Sequence, residues 1–198
     1  MNPVNYSAAR STESVLATNK LIKNTYMLLS LTLLFSALTA GMSMVFNLPH
    51  PGMIITLVGY FGLLWATNKF ANSGWGLLFV FLLTGFMGLT LGPIISAYIQ
   101  AFSNGGELVM MAMGGTGVIF LGLSGYALTS RKDFSFMGGF LMVGILVAFL
   151  AGIGAAIFSI PALSLAVSAM FVLLMSGLIL YQTSQIIHGG ETNYIMAT

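Results

Sequence analysis

The chain has 198 residues, of which 58% are hydrophobic and only 5% are charged. A soluble domain carries about 25% charged residues, so this composition excludes a chain whose whole surface faces water. The net charge of +2 is too small and too dispersed for a nucleic-acid-binding protein, and the lack of cysteine excludes disulfides and thiolate metal sites.

Residues 1–23 are polar and precede the first long apolar run. The charged residues of this segment are Arg10, Glu13, Lys20 and Lys23. We interpret it as a flexible cytoplasmic tail, with at most a short helix near Ser14–Lys23, and residues 24–198 as a transmembrane helix bundle. The first apolar run exceeds the ~7–15 residues of a secretory signal, so we expect it to be retained as a membrane span.

Six apolar segments follow the tail, and each is long enough to cross a membrane as a helix. A hydrocarbon layer of about 30 Å needs about 20 helical residues, and an open strand edge in lipid would leave backbone groups unpaired. The predicted spans are Thr25–Phe46, Pro51–Thr67, Gly74–Ile99, Leu108–Leu128, Phe134–Phe158 and Ala162–Ile187. The sequence therefore predicts an all-α, polytopic membrane helix bundle with six spans.

All six Lys and Arg residues fall on one side of this arrangement. The tail holds three of them, the second loop holds Lys69, and the fourth loop holds Arg131 and Lys132, whereas the first, third and fifth loops hold none. Cytoplasmic loops are enriched in Lys and Arg. We therefore predict that the N-terminus lies in the cytoplasm.

Small residues should bring the spans together, because lipid removes the hydrophobic drive for helix association. The third span carries Gly88 and Gly92 before Pro93, and we expect the proline to kink the helix. The fifth span has a small residue at every fourth position, namely Gly144, Ala148, Gly152 and Ala156. The fourth span is also rich in glycine. Two explanations remain open: tight packing, or Gly- and Pro-broken helices that shift and open a path.

The six predicted spans contain no Asp, Glu, Lys, Arg or His. Pumps and ion-coupled carriers usually need an ionisable group inside the membrane, so energised transport is disfavoured. The nearest polar cluster is Tyr181–Gln185, at the cytoplasmic end of the sixth span. Gln182 and Gln185 share a helical face there, which interhelical hydrogen bonding and a polar ion path both explain.

One tetrapeptide, Gly122-Leu123-Ser124-Gly125, matches a signature of intramembrane serine proteases, and His188 follows the sixth span. A Ser–His pair needs hydrogen-bond reach, but the predicted topology places Ser124 inside a helix and His188 in a glycine-rich turn. We therefore predict no enzyme activity, no catalytic residue, no metal site and no cofactor. His50, between two prolines on the opposite side, is predicted to be a loop residue.

The densest charge cluster is Thr129–Ser135, between the fourth and fifth spans. It is explained by a topogenic cytoplasmic loop in which Asp133 or Ser135 caps the fifth helix. Docking of a partner protein is the alternative.

Several of these residues resemble the motifs of the Bax inhibitor family of membrane proteins. The matching segments are Gly85–Pro93, Thr116–Phe120, Leu123–Thr129, Arg131–Ser135 and Tyr181–Thr183, followed by Ile186 and Ile187. On this basis, the residues of the family motif or of a possible polar path are Gly92, Pro93, Thr116, Tyr126, Arg131, Asp133, Tyr181, Gln182, Thr183 and Gln185.

The resemblance implies a non-enzymatic protein of the bacterial inner membrane that binds and modulates a membrane-anchored, ATP-dependent protease of the FtsH type. The tail would be the handle for the protease, whose membrane regulators are candidate further partners along with the lipid bilayer. The family also implies seven helices, so we expect that Glu191–Thr198 begins a seventh and that the C-terminus is truncated.

The alternative from the same family is a passive leak channel for calcium or other cations. The resemblance implies a pair of aspartates for a pH-gated leak. One would fall at Gln182, which cannot ionise, and the other beyond Thr198. Calcium is a ligand only under this alternative.

Overall fold

The computed structural model of the chain describes residues 3–189 and 191–198, with the side chains of residues 3–15 excepted. All regular secondary structure within these residues is helical. The helices are α1 (Pro3–Val45), α2 (Met53–Phe70), α3 (Gly74–Ala101), α4 (Gly105–Ser130), α5 (Met137–Ile157) and α6 (Pro161–Ile187). Each of these six described helices contains a segment long and apolar enough to cross a membrane, which in α1 is Leu16–Val45. The prediction of an all-α polytopic membrane protein with six spans is confirmed.

The helix ends coincide with residues that favour turns, with one exception at the start of the chain. Asn47 and Gly52, which flank the first loop, have left-handed backbone angles, with φ of 48° and 90°. Arg131, which follows α4, has φ of 49°, a conformation that is costly for a residue with a Cβ.

At the start of the chain, residues 3–23 continue the helix of the first span, where the sequence suggested a flexible tail. The division of the chain into tail and bundle stays a prediction.

The C-terminal residues Glu191–Thr198 form a loop and a single hydrogen-bonded turn, in which the Ala197 N–H donates to the Asn193 carbonyl at 2.9 Å. They are not a helix in this structure, although the family resemblance suggested the beginning of one.

The chain divides into two compact units, each with its own packing. The first unit holds α1, α2, α3, the start of α4 up to Met113, and residues Glu191–Thr198. The second begins at Gly114 and holds the rest of α4 together with α5 and α6.

In the first unit, α3 is the central helix and packs against both α1 and α2. The contacts with α1 run in the same direction along both helices, from Leu28 beside Val80 to Ser43 beside Gly92, so the two helices are parallel. α2 is antiparallel to α3, with the rings of Phe70 and Phe79 stacked at 5.2 Å between centroids.

In the second unit, α5 and α6 pack as an antiparallel pair in which small residues of one helix face large residues of the other. Gly144 lies against Leu174, and Ala148 is completely buried. The predicted small-residue stripe is therefore correct for its first members, but Ala156 is exposed and Ala155 is buried instead. The reason is that a helix has 3.6 residues per turn, so a strict spacing of four drifts off the contact face.

The glycines of α4 behave differently from those of α3 and α5. A Cβ placed at Gly114, Gly115, Gly117, Gly122 or Gly125 would meet no described atom within 4 Å. The close contacts made at Gly88 and Gly92 are therefore not seen at these glycines in the described part of the chain.

Candidate functional site

The closest helix contact in the first unit is the α1–α3 seam, which consists of Ser36, Thr39 and Ser43 on α1 and Gly85, Gly88 and Gly92 on α3. A Cβ at Gly88 would overlap the Thr39 hydroxyl and the Ser36 carbonyl. A Cβ at Gly92 would lie 2.6 Å from the Cβ of Ser43. Glycine is therefore required at both positions for the backbones to approach this closely, as in other membrane helix pairs. The tight-packing explanation holds for these two glycines.

Pro93 sits inside α3, next to the seam, and the helix continues through it. Proline has no backbone N–H, so the carbonyl four residues earlier, that of Leu89, loses its helical donor. The Ser43 hydroxyl of α1 donates to this carbonyl at 3.0 Å. Ser43 is 1% exposed and thus takes the place of the missing amide inside the membrane.

Two neighbouring hydroxyls of α1 bond within their own helix. Thr39 donates to the Ser36 carbonyl at 2.9 Å, and Thr32, one turn before the seam, donates to the Leu29 carbonyl at 3.0 Å. The Ser43 hydroxyl, in contrast, donates to the neighbouring helix α3.

The second unit contains a polar group at the end of α6, the Ser184 cluster, which consists of Asp133, Phe134, Ser184 and His188. Ser184 is completely buried and accepts the Phe134 N–H at 2.9 Å. Its hydroxyl lies 3.5 Å from Asp133 Oδ1 and 3.3 Å from His188 Nδ1. A single side chain of α6 thereby holds the loop that leads from α4 to α5.

Asp133 shapes that loop through its carboxylate. The Ser135 N–H donates to Asp133 Oδ1 at 2.8 Å. Hydrogen bonds from the Ser135 hydroxyl and backbone N–H hold the pKa of Asp133 below its ordinary value of 3.8. The hydrogen bonds to the Asp133 carboxylate therefore stabilise the folded chain at neutral pH, and this stabilisation is lost only as the pH falls below that value. Asp133 stabilises the turn before α5, and the predicted side-chain cap of α5 is not formed.

The Ser184 cluster contains Ser, His and Asp, but their order differs from that of a hydrolase triad. In a triad the histidine lies between serine and aspartate, whereas here Ser184 lies between Asp133 and His188. The protease-like Ser124 is 3% exposed, and its hydroxyl has no hydrogen-bond partner among the described residues. His188 instead bonds to Ser184, so the structure does not form a Ser124–His188 pair.

The predicted handle residues lie on the first part of α1. Lys20 and Lys23 are exposed. Arg10 and Glu13 belong to the same helix, but their side chains lie outside the described residues.

The family-motif residues of the second unit fall into packed and exposed groups. Asp133 joins the Ser184 cluster, the ring of Tyr126 lies 6.2 Å from that of Phe134, and Tyr181 packs over Gly138. Among the other motif residues of this unit, Thr183 is buried and Gln185 is partly buried. The exposed ones are Thr116, Arg131 and Gln182. In the first unit, Gly92 packs against Ser43, and the Ser43 hydroxyl binds the carbonyl that Pro93 leaves without a donor. The described geometry therefore adds no support for an ion path.

Two important residues were missed by the sequence interpretation. Ser43 had no signal of its own in the sequence. Ser184 lay within the polar cluster at the end of α6, but its bond to the Phe134 N–H spans 50 residues of sequence and left no pattern.

Comparison with known proteins adds a family match to the Pro93 site of α3 and the Ser184 cluster at the end of α6. The family described as "Inhibitor of apoptosis-promoting Bax1" matches residues 18–198. The chain belongs to the Bax inhibitor family. The earlier resemblance is confirmed over nearly the whole chain.

Several known proteins are similar to this chain over most of its length. It is 51% identical to the Escherichia coli K12 protein named "Modulator of FtsH protease YccA" over 192 residues, which cover 97% of this chain and 87% of the relative. It is 51% identical to an uncharacterized protein of Pseudomonas aeruginosa over 177 residues, covering 89% and 79%. An uncharacterized membrane protein of Vibrio cholerae is 41% identical over 199 residues, covering 100% and 89%.

Proposed function

We propose that this chain is a non-enzymatic regulator in the bacterial inner membrane that binds and modulates an FtsH-like, ATP-dependent protease. The similarity to a protein named as a modulator of FtsH protease supports this function. A second similar protein, from another Escherichia coli strain, is named "Inner membrane protein YccA", which supports the location. The distribution of Lys and Arg supports a cytoplasmic N-terminus.

The observation that carries the mechanism is the continuity of α1, which runs from Pro3 to Val45 without a break. Residues 3–23 alone would extend about 30 Å as a helix. In our proposal this polar segment is the handle, and the same helix is seated deeper down in the α1–α3 seam. A pull on the handle therefore acts along the axis of the helix that the seam holds.

The resistance to such a pull has two sources of different size. Removing about 20 apolar residues from lipid costs roughly 0.3–0.6 kcal/mol for each large side chain, so on the order of 10 kcal/mol for one span. The Ser43–Leu89 hydrogen bond adds only about 0.6–1.7 kcal/mol. Lipid therefore supplies most of the resistance. The seam adds a smaller part, because Gly88 cannot move past Thr39 until the two helices separate.

A protein that offers a handle but resists extraction occupies the protease. Other substrates then wait, and their degradation slows. In this mechanism the chain modulates the protease by competition and needs no catalytic group of its own.

Deleting residues 2–20 is expected to abolish degradation of the chain by the protease, because the handle is removed. The deletion keeps Lys23, Lys69, Arg131 and Lys132, so insertion and orientation should not change. Turnover is measured after synthesis is stopped, and a reporter fused after Asn104 checks the topology. A deleted chain that is degraded as fast as the intact one would rule out the handle.

A further inference from the structure

The C-terminal residues of the first unit are bound to the loop between α2 and α3 by one side chain, whose amide nitrogen and oxygen both form hydrogen bonds. The amide nitrogen of Asn193 donates to the Ala71 carbonyl at 2.9 Å and to Asn72 Oδ1 at 2.7 Å. Its amide oxygen accepts the Ile195 N–H at 2.9 Å. Asn193 thus bridges two segments that are more than 120 residues apart in the sequence.

Ile195, two residues later, fills the interior beside this bridge. It is 5% exposed and packs with Leu28, Ala71 and Val80. A Cβ at Gly76 would lie 3.0 Å from Ile195 Cδ1, so the first turn of α3 leaves room for this side chain. The cluster therefore joins α1, the α2–α3 loop, α3 and the C-terminal residues.

The C-terminal residues are also held in shape by their own hydrogen bonds. Glu191 Oε1 accepts the N–H groups of Thr192 and Asn193 at 2.8 and 2.9 Å. The Asn193 carbonyl accepts the Ala197 N–H at 2.9 Å. These hydrogen bonds fix the backbone of the segment and thereby position the side chains of Asn193 and Ile195.

We infer that residues 191–195 form a C-terminal strap that holds α1 in the bundle and limits how fast a pull on the handle frees it. The inference rests on the proposed function for the origin of the pull. Leu28 lies five residues after Lys23, so a force on the handle reaches it before it reaches the seam. Leu28 packs in one cluster with Ile195, and Ile195 is tied through Asn193 to the α2–α3 loop. The strap must therefore yield before α1 can move.

A thiol probe tests the strap without any protease. The chain contains no cysteine, so Ile195→Cys introduces a single thiol that is buried while the strap is closed. Adding Asn193→Ala removes three hydrogen bonds and should raise the rate of its labelling by a water-soluble maleimide at least tenfold, because each bond contributes about 0.5–1.5 kcal/mol and every 1.4 kcal/mol is a factor of about ten. Adding Met196→Ala is the matched control, because Met196 is in the same segment and 43% exposed.

Asn72→Ala gives a second, milder test, because Asn72 is exposed and loses only one bond to the strap. It should raise the labelling rate severalfold in a fully folded protein. Labelling rates that are unchanged by both Asn193→Ala and Asn72→Ala would overturn the strap.

Degradation by the protease tests the second half of the inference. Asn193→Ala and Ile195→Ala in the otherwise intact chain should be degraded severalfold faster than Met196→Ala. Joining Asn72→Cys to Asn193→Cys with a short bifunctional thiol reagent should slow degradation below that of the intact chain. Faster labelling with unchanged degradation would overturn the role of the strap in extraction, whereas degradation that also ignores deletion of residues 2–20 would place the failure in the proposed function.

Discussion

Replacing Gly88 with valine is expected to prevent α1 and α3 from packing and to remove most of the folded protein. The new Cβ would overlap the Thr39 hydroxyl, which can rotate, and also the Ser36 carbonyl, which belongs to the backbone of α1 and cannot. The helices must then separate along the whole seam. Overpacking of a core commonly costs about 1–3 kcal/mol, and a clash of the valine side chain with the backbone of α1 should exceed the upper value.

The measurement is the fraction of monodisperse protein after mild detergent extraction, together with the midpoint of unfolding in a denaturing detergent. Gly41→Val is the matched control, because Gly41 lies on α1 near the seam and has no described atom within 4 Å of its Cβ position. The control should behave almost like the intact chain. Equal behaviour of the two variants would contradict the seam.

The replacement of Ser43 by alanine is expected to destabilise the chain by about 1–2 kcal/mol, because the Leu89 carbonyl then loses its donor inside the membrane. Ser30→Ala is the matched control on the same helix. Ser30 is exposed and donates only to the Tyr26 carbonyl one turn earlier. Its loss should change stability by less than about 0.5 kcal/mol.

A double-mutant cycle separates this bond from general packing. Pro93→Ala restores a backbone N–H that can reach the Leu89 carbonyl, so Ser43→Ala should cost almost nothing in that background. The coupling free energy between the two positions should be about 1 kcal/mol, measured from unfolding in a denaturing detergent. Additive effects would mean that Ser43 does not compensate for the proline.

The sequence predicted the spans well, because a membrane allows few alternatives to long apolar helices. For residues 1–23, which have no apolar face, we took polarity as a sign of a flexible chain, whereas α1 begins at Pro3. The segment nevertheless has no helix breaker between Pro3, which is favourable at a helix start, and Gly41. Without glycine or proline to stop it, the helix of the first span extends back to Pro3.

The site was harder to predict than the fold. The sequence shows that Pro93 frees a carbonyl, but the donor depends on which helix packs against α3 and in what register. The bond from Asn193 to Ala71 and the bond from Phe134 to Ser184 likewise depend on tertiary structure. Single polar residues of this kind leave no periodic pattern, whereas the glycines of the seam were recognisable by their spacing.

The most direct test of the account is the rate at which a purified FtsH-like protease degrades a reference membrane substrate in the same liposomes as this chain. The intact chain should slow that degradation, and the chain without residues 2–20 should leave it unchanged. Equal slowing by both forms, or no slowing by the intact chain, would contradict a regulator that works through its N-terminal helix.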